Sequence, residues 1–367
     1  MRVVHVAPTP FGHAGIFGGG ERYPVELARA LGRHVDCELV TFGAGASIDD
    51  AGGLRVRVLR AVGHLGHPAH PIAPALAAAV AGADVVHTHH TRSAPSRVAA
   101  LVARARGRAA VTTDHGLPGG TWGGVFLALF QRFLLVSEYS ARELRAPPSR
   151  TRVVYGGVDC VRYHPDPQAS RRGVLFLGRV TPHKGIDRLI RALPERATLT
   201  IAGTAGHDPD PPERDYPELL RRLARGRSVS LLGAVPDDRL PALHRSAAVL
   251  ALPSVDRTCY GRHIRVVELL GLVALEAMAS GTPVVCSRVG GLPEIVEDGV
   301  TGILVEPGDV GALRDALDRV LRDRSLADRL GRNGRERARE RFTWDACAMR
   351  CLAAYDEVVG GQRTGAR

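Results

Sequence analysis

Short apolar runs alternate with helical patterns along this chain, stop once, and then start again. The first series reads RVVHVAP (2–8), ELVTF (38–42), RVRVLR (55–60), DVVHTH (84–89), AAVTTDH (109–115), FLLVSE (133–138) and TRVVYGGV (151–158). Helical patterns such as ERYPVELARAL (21–31) and SRVAALVARAR (96–106) lie between them. After Tyr163 comes HPDPQASRRG (164–173), rich in Pro, Asp and Arg and without periodicity. The second series then follows: GVLFLGRV (173–180), ATLTIAG (197–203), SVSLLGAV (228–235), AAVLALPS (247–254), TPVVCS (282–287) and TGILVE (301–306). Apolar strands alternating with helices specify parallel, doubly wound sheets. The expected architecture is α/β, two Rossmann-like domains facing each other across a cleft. At 367 residues the chain is long enough for two such domains. We expect the first over 1–163, a linker over 164–172, the second over 173–341, a final helix over 342–359 and a disordered tail over 360–367.

Composition narrows the function classes. The formal net charge is +11, which favours an anionic ligand or surface. The basic residues are scattered and aromatics make up only 5% of the chain, so no stacking platform for nucleic acid is written here. The six cysteines, Cys37, Cys160, Cys259, Cys286, Cys347 and Cys351, form no paired framework. They read as reduced thiols of a cytoplasmic protein. The chain opens directly on a strand, so no signal peptide is expected. The apolar run GVFLALFQRFLLV (124–136) is too short to span a bilayer and is broken by Gln131 and Arg132. Peripheral contact with a membrane face stays open.

The most informative stretch for chemistry is ELLGLVALEAMASGTPVVCSRVGGLP, from Glu268 to Pro293. Glu268 falls in a loop, Gly271 at a turn, and Glu276 inside the helix that follows. The free N–H groups around Gly271, Leu272 and Val273 make that helix start an anion site. Two carboxylates flanking it suit a ligand with a phosphate region and hydroxyls on either side, as in a nucleotide-sugar. Surface helices are also rich in Glu, so the spacing alone decides nothing.

In the first half, TPFGHAGIFGGGERY joins the first strand to a helix. Gly18, Gly19 and Gly20 would let a phosphate approach the backbone, although a plain flexible turn fits equally well. The dinucleotide G-x-G-x-x-G spacing and the Walker pattern are both absent. His87, His89, His90 and His115 fall at strand ends, the edge where open α/β sheets bind ligands. They show no ligand spacing that marks a metal site. Asp208 and Asp210 form a D-x-D inside the loop HDPDPPERD, and no metal is expected there.

The second half opens on FLGRVTPHKGID. Arg179 follows a buried strand, and Lys184, the only lysine among 49 basic residues, precedes a helix. A compact ammonium differs chemically from a guanidinium. Two cations at a strand end would neutralise a diphosphate leaving group.

Taken in order, GGGERY, GRVTPHKGID, ELLGLVALEAMASGTPVV and SRVGGLPEIVEDGVTGILVEPGD resemble the family-4 retaining glycosyltransferases, proteins of GT-B fold. The resemblance covers most of the second half and, more loosely, the first. It implies that Arg179 and Lys184 hold the donor diphosphate, that Glu276 binds the ribose and Glu268 the donor sugar. Backbone amides at Gly19, Gly20, Gly271, Leu272 and Val273 would complete the phosphate cradle, and the backbone at Val235 would meet the base. His115 would lie near the reactive centre, and the last helix would return to the first domain.

The reaction implied is retaining transfer of a hexose or N-acetylhexosamine from a nucleoside-diphosphate sugar, with a UDP-sugar expected, to a hydroxyl acceptor. Neither a metal nor another cofactor is expected. One departure stands out: PSVDRTCYGRHIRVVE inserts a polar stretch, with Tyr260, Arg262, His263 and Arg265, before Glu268. This variant resembles actinobacterial enzymes that glycosylate small polar metabolites such as aminocyclitols, as in antibiotic biosynthesis. A lipid- or polysaccharide-linked acceptor is the alternative within the class. Outside it stand a nucleotide-sugar epimerase, a non-catalytic nucleotide- or glycan-binding partner protein and an NAD-dependent dehydrogenase. The last lacks both the glycine spacing and the acidic residue expected about 20 positions later.

Overall fold

The computed structural model describes residues 1–10, 18–66, 68–116, 126–205 and 213–365, with the side chains of 9, 10 and 362–365 left out. Asp208 and Asp210 lie outside the described residues. The chain divides into two compact units, 1–156 with 344–367, and 157–343.

The first unit is built on an eight-stranded sheet. Its strands are β1 (Arg2–Pro10), β2 (Asp36–Gly43), β3 (Ser47–Asp50) and β4 (Arg55–Arg60), then β7 (Val85–His89), β8 (Ala109–Thr113), β9 (Arg132–Leu135) and β10 (Thr151–Val153). A small ribbon of β5 (Gly63–His64) and β6 (Pro71–Ile72) stands apart from it. The sheet order is β10-β9-β8-β7-β1-β2-β4-β3, parallel except for the antiparallel β3 edge. β3, sequence SIDD, carries no apolar alternation, and its exposed edge position explains why.

The two faces of this sheet follow from the period of two along each strand. Val4 and Val6 of β1 and Val86 of β7 share one core with α2 (Leu76–Val80) and α3 (Ala94–Ala105). On the other face Ala7 and Leu39 pack with Val25 and Ala28 of α1 (Gly19–Leu31). α4 (Glu138–Glu143) precedes β10, its start closed by reciprocal Ser137 and Ser140 hydrogen bonds.

The second unit holds a six-stranded, wholly parallel sheet. Its strands are β11 (Arg172–Leu177), β12 (Leu199–Ala202), β13 (Val229–Gly233), β14 (Ala247–Leu252), β15 (Val284–Ser287) and β16 (Ile303–Val305). Their order, β13-β12-β11-β14-β15-β16, is the Rossmann order 3-2-1-4-5-6 counted within the unit. One face packs Val174, Phe176, Ile201, Val249 and Val285 against α5 (Ile186–Ala192), α6 (Tyr216–Ala224), α10 (Val310–Arg322) and α11 (Arg324–Arg341). α7 (Leu240–Ser246), α8 (Leu272–Ala279) and the short α9 (Leu292–Ile295) complete the unit. Parallel strands covered on both faces read as continuous apolar runs, as β11, β14 and β15 do, whereas β13 is apolar but largely exposed.

Three boundaries differ from expectation, the first being that the chain leaves the first unit at 156 and not at 163, so that Val158 and Tyr163 belong to the second. The Pro-rich segment 164–172 is part of the second unit and is tied into it, since Arg171 donates to the carbonyls of Ser280 and Gly281. Its composition marked irregular backbone, which these arginine bonds hold in place. The last helix, α12 (Trp344–Gly365), belongs to the first unit and continues through 360–365, where a tail was expected. Within the second unit, Val158 pairs with Thr343 in a parallel bridge, so the two places where the chain enters and leaves that unit lie side by side. Among the described residues no helix is long and apolar enough to cross a membrane.

Candidate active site

In an open α/β sheet the point where strand order reverses leaves a crevice at the carboxyl ends of the strands. In the second unit that point lies between β11 and β14. The loops leaving these strands are stitched together, the Val255 N–H donating to the His183 carbonyl at 2.8 Å. Lys184, after β11, sets its ammonium on Glu268 Oε1, and Ser254, after β14, donates its hydroxyl to the same oxygen at 2.9 Å. Lys184 and Glu268 are 14% and 13% exposed. Burial pushes the Glu268 carboxyl up, but the Lys184 charge and the two hydrogen bonds outweigh it and hold the group below its ordinary value.

Arg179 is exposed at the start of the loop that follows β11. Arg179, Lys184 and Glu268 are all close enough to act on His183, as is Arg262 of the inserted stretch. Burial, then the cations Lys184 and Arg179, lower His183 to about 3, against the pull of Glu268. The inserted stretch folds into a small hairpin, with Thr258 donating to the Arg262 carbonyl and Ile264 to that of Asp256. It leaves the sheet after Ser254 and returns the chain to Glu268, whose carboxylate meets the Ser254 hydroxyl.

Glu268 is also fixed through its backbone. Its carbonyl accepts the Gly291 N–H at 2.9 Å. A Cβ on Gly290, whose φ is +64°, would lie 2.1 Å from that carbonyl oxygen. Only glycine fits such a position. Gly271, in the left-handed region at φ +103°, precedes α8, whose first residues are Leu272 and Val273. Glu276 sits in the interior of α8, 5% exposed, with His244 Nε2 of α7 at 3.4 Å from its Oε2. Val235 is half-buried in the loop after β13, at the same carboxyl edge of the sheet.

The first unit has its own switch point, between β1 and β7, and histidines fill it. His5, His87 and His89 face the α1 side of the sheet, and His5 is directly opposite His87 in the register. His5 Nδ1 lies 3.0 Å from His89 Nε2, and His89 Nδ1 lies 3.1 Å from His115 Nε2. His87 is held separately, by the Tyr355 hydroxyl at 2.6 Å and Thr113 Oγ1 at 2.9 Å. Tyr23 of α1 packs its ring on His115 with centroids 4.9 Å apart. Burial is the main reason that His5, His87, His89 and His115 all lie below the ordinary histidine value.

His90 adds strain to this cluster. Its φ of 64° is unusual for a bulky residue. Both its ring nitrogens are buried without a partner among the described residues, and its ring meets His115 edge-on at 5.0 Å. Gly20, at the start of α1, lies against both, its notional Cβ 3.6 Å from His115 and 3.8 Å from His90. Gly19 is exposed beside it. The structure therefore brings Gly20 and His115 together in one unit, and Lys184 and Glu268, with Arg179 close by, in the other.

Sequence reasoning passed over Ser254, His183, His244 and the His5–His89 contact. Only PS at 253–254 carried a signal, as the residues before the insertion. His5, His87 and His89 each offer a nitrogen within 4.8 Å of the others, but both nitrogens of His87 are already engaged. All six cysteines are free thiols, with Cys286, Cys347 and Cys351 buried and Cys259 exposed.

Comparison with known proteins agrees with both halves. The family described as Glycosyl transferases group 1 matches residues 165–337, and Glycosyltransferase Family 4 matches residues 17–162. Both halves of the chain thus carry glycosyltransferase domains. A D-inositol 3-phosphate glycosyltransferase of Acidothermus cellulolyticus is 33% identical over 313 residues, 78% of this chain and 64% of the relative. A GDP-mannose-dependent alpha-(1-6)-phosphatidylinositol monomannoside mannosyltransferase of Mycolicibacterium smegmatis is 37% identical over 225 residues, 56% of this chain and 55% of the relative. The chain spans about half the length of the curated relatives it matches, from 45% to 64%. Among solved structures, Anabaena HepE in complex with UDP and glucose superposes with a TM-score of 0.73 at 22% identity, covering 96% of this chain and 98% of that one. The fold is GT-B.

Proposed function

We propose that this protein moves a sugar, with retention at the anomeric carbon, from a nucleoside-diphosphate sugar to a hydroxyl of a small polyol. The observation that carries this reading is the Lys184–Glu268–Ser254 cluster at the switch point of a Rossmann-ordered sheet. In the donor complex Arg179 and Lys184 take the diphosphate, and the α8 start at Leu272 and Val273 offers it free N–H groups. Glu276 reaches the ribose and Glu268 the donor sugar. The backbone at Val235 lies against the base.

As the glycosidic bond to phosphate breaks, negative charge collects on the departing diphosphate, where Arg179 and Lys184 offset it. The acceptor oxygen bonds to the anomeric carbon on the same face, and its proton passes to a phosphate oxygen of the leaving group. Glu268 Oε1 accepts from both Lys184 and Ser254, which suits a hydrogen-bonding role and not that of a covalent nucleophile. The step requires no metal, so transfer persists in EDTA.

Relatives named for inositol phosphate and for phosphatidylinositol monomannoside favour a cyclitol ring as acceptor, aminocyclitols included. The second of these names also supports a lipid-linked form of the same ring as the alternative. The donor reading is a UDP-sugar, in line with the HepE complex. Thermal unfolding with UDP, GDP, TDP and CMP tests the core of this. At 100 times its dissociation constant one of them should add about 2.7 kcal/mol of stability, and Lys184→Ala and Glu276→Ala should both abolish the shift. No shift with any nucleotide would leave the chain a non-catalytic partner protein.

A further inference from the structure

We infer that the buried chain His5–His89–His115 locks His115 as a hydrogen-bond donor at Nδ1, so that this residue offers an N–H to a ligand oxygen and cannot serve as the general base. The inference deepens the reading above and rests on it only for which oxygen receives the bond.

The argument is one of counting protons. A neutral imidazole carries one N–H and one lone pair. Two linked His–His contacts therefore allow only two arrangements. In the first, His5 Nδ1–H donates to His89 Nε2, His89 Nδ1–H donates to His115 Nε2, and His115 keeps its proton on Nδ1. In the second every proton moves over, and His5 carries its proton on Nε2. That nitrogen is buried with no hydrogen-bond partner. An N–H stranded there is the rarer and costlier orphan, whereas an unused lone pair is better tolerated. The first arrangement is therefore the resting one.

The far end of the chain makes the lock one-way. For His115 Nδ1 to surrender its proton to a substrate and recover one at Nε2, His89 and then His5 would have to hand protons along. His5 would need a replacement at Nε2, which no side chain of the described residues can supply. The rings are also held in place: His89 stacks on His115 with centroids 5.4 Å apart and planes 15° from parallel, and Tyr23 packs on the outer ring. Burial keeps the imidazoles neutral, so the count holds near neutral pH. A metal bridging His5, His87 and His89 fits less well, because Tyr355 and Thr113 occupy both nitrogens of His87. His115 is only partly buried, and its Cβ lies 3.6 Å from the notional Cβ of Gly20 at the start of α1, so a ligand oxygen held at that helix start would lie beside this residue.

The test is nitrogen NMR of the full chain labelled at histidine, with His115 assigned through His115→Gln. Wild type should show His115 protonated at Nδ1. His5→Phe keeps a ring but removes the donor, and should give a mixture of His115 tautomers and a roughly tenfold lower kcat with little change in KM. His5→Asn restores an N–H toward His89 and should return the wild-type pattern, which also covers the case in which His5→Phe fails to fold. His115 protonated at Nε2 in wild type, or a His115 pattern unchanged in His5→Phe, would overturn the inference. The tautomer is read without substrate, so failure to bind any nucleotide would defeat the transferase reading and leave the lock standing.

Discussion

Lys184 and Glu268, 84 positions apart, form one ion pair at the carboxyl edge of the second sheet, and Ser254 shares the accepting oxygen. The pair joins the two loops that frame the switch point. Residues assigned above to the donor site are thus also a structural tie, and under that proposal their substitution should act on both stability and turnover.

Glu268→Gln removes the counter-charge from a mostly buried ammonium. It should destabilise the protein by about 2 kcal/mol, read as a lower urea midpoint at constant slope. Lys184→Met combined with Glu268→Gln should recover at least half of that, while transfer stays lost. A double variant no more stable than Glu268→Gln would mean that the pair is not coupled.

Gly290→Ala and Gly299→Ala form a matched pair, with φ of +64° and +73°. Around Gly299 there is open space, whereas at Gly290 a Cβ would strike the Glu268 carbonyl. Gly299→Ala should cost only about 1 kcal/mol of backbone strain. Gly290→Ala should cost at least twice as much and lower kcat by displacing Glu268. Equal urea midpoints would show that the Glu268 loop yields freely.

Stability should fall as pH drops below about 6.5. His5, His90 and His183 are each lowered from 6.5 to about 3 in the folded state. Between those values the unfolded chain binds protons that the folded one refuses, so each histidine removes up to about 1.4 kcal/mol per pH unit on acidification. Glu268, also lowered when folded, adds a loss in the same direction below its ordinary 4.5. His90→Asn, which suits a positive φ, should flatten the slope between pH 6 and 4 by roughly one proton's worth. An unchanged slope would show that His90 is protonated in the folded protein.

The hairpin at Asp256–Ile264 should bear on acceptor choice. Excising Val255–Arg265 while keeping Ser254 and Glu268 should change which polyols accept sugar, or abolish transfer, in a screen of acceptors. Unchanged preference would limit the hairpin to packing, as in its Tyr260–Tyr216 contact at 6.4 Å.

Much of the fold was legible because most of its strands are parallel, and those buried on both faces, such as β11 and β14, left unbroken apolar runs. β3 left none, being a polar edge, and the end of α12 was hidden by glycines that its helix accommodates. Glu268, Gly271 and Glu276 could be placed relative to one another because they share one stretch of chain. His244 could not, since its partner Glu276 lies on another helix, and Ser254 reaches Glu268 only because the inserted stretch folds back on itself. The histidine chain shows the limit most clearly: His5 comes from the middle of β1, His89 from the end of β7 and His115 from the loop after β8, and only the sheet order makes them neighbours.

Lys184 carries the only ε-amine in the chain, and it lies on Glu268. An amine-selective acylating reagent therefore has two targets, the α-amino group and this one. Intact mass then becomes a readout of the site. A bound donor that covers Lys184 should protect one acyl group and leave the other, so occupancy can be followed with no engineered label, by weighing the protein.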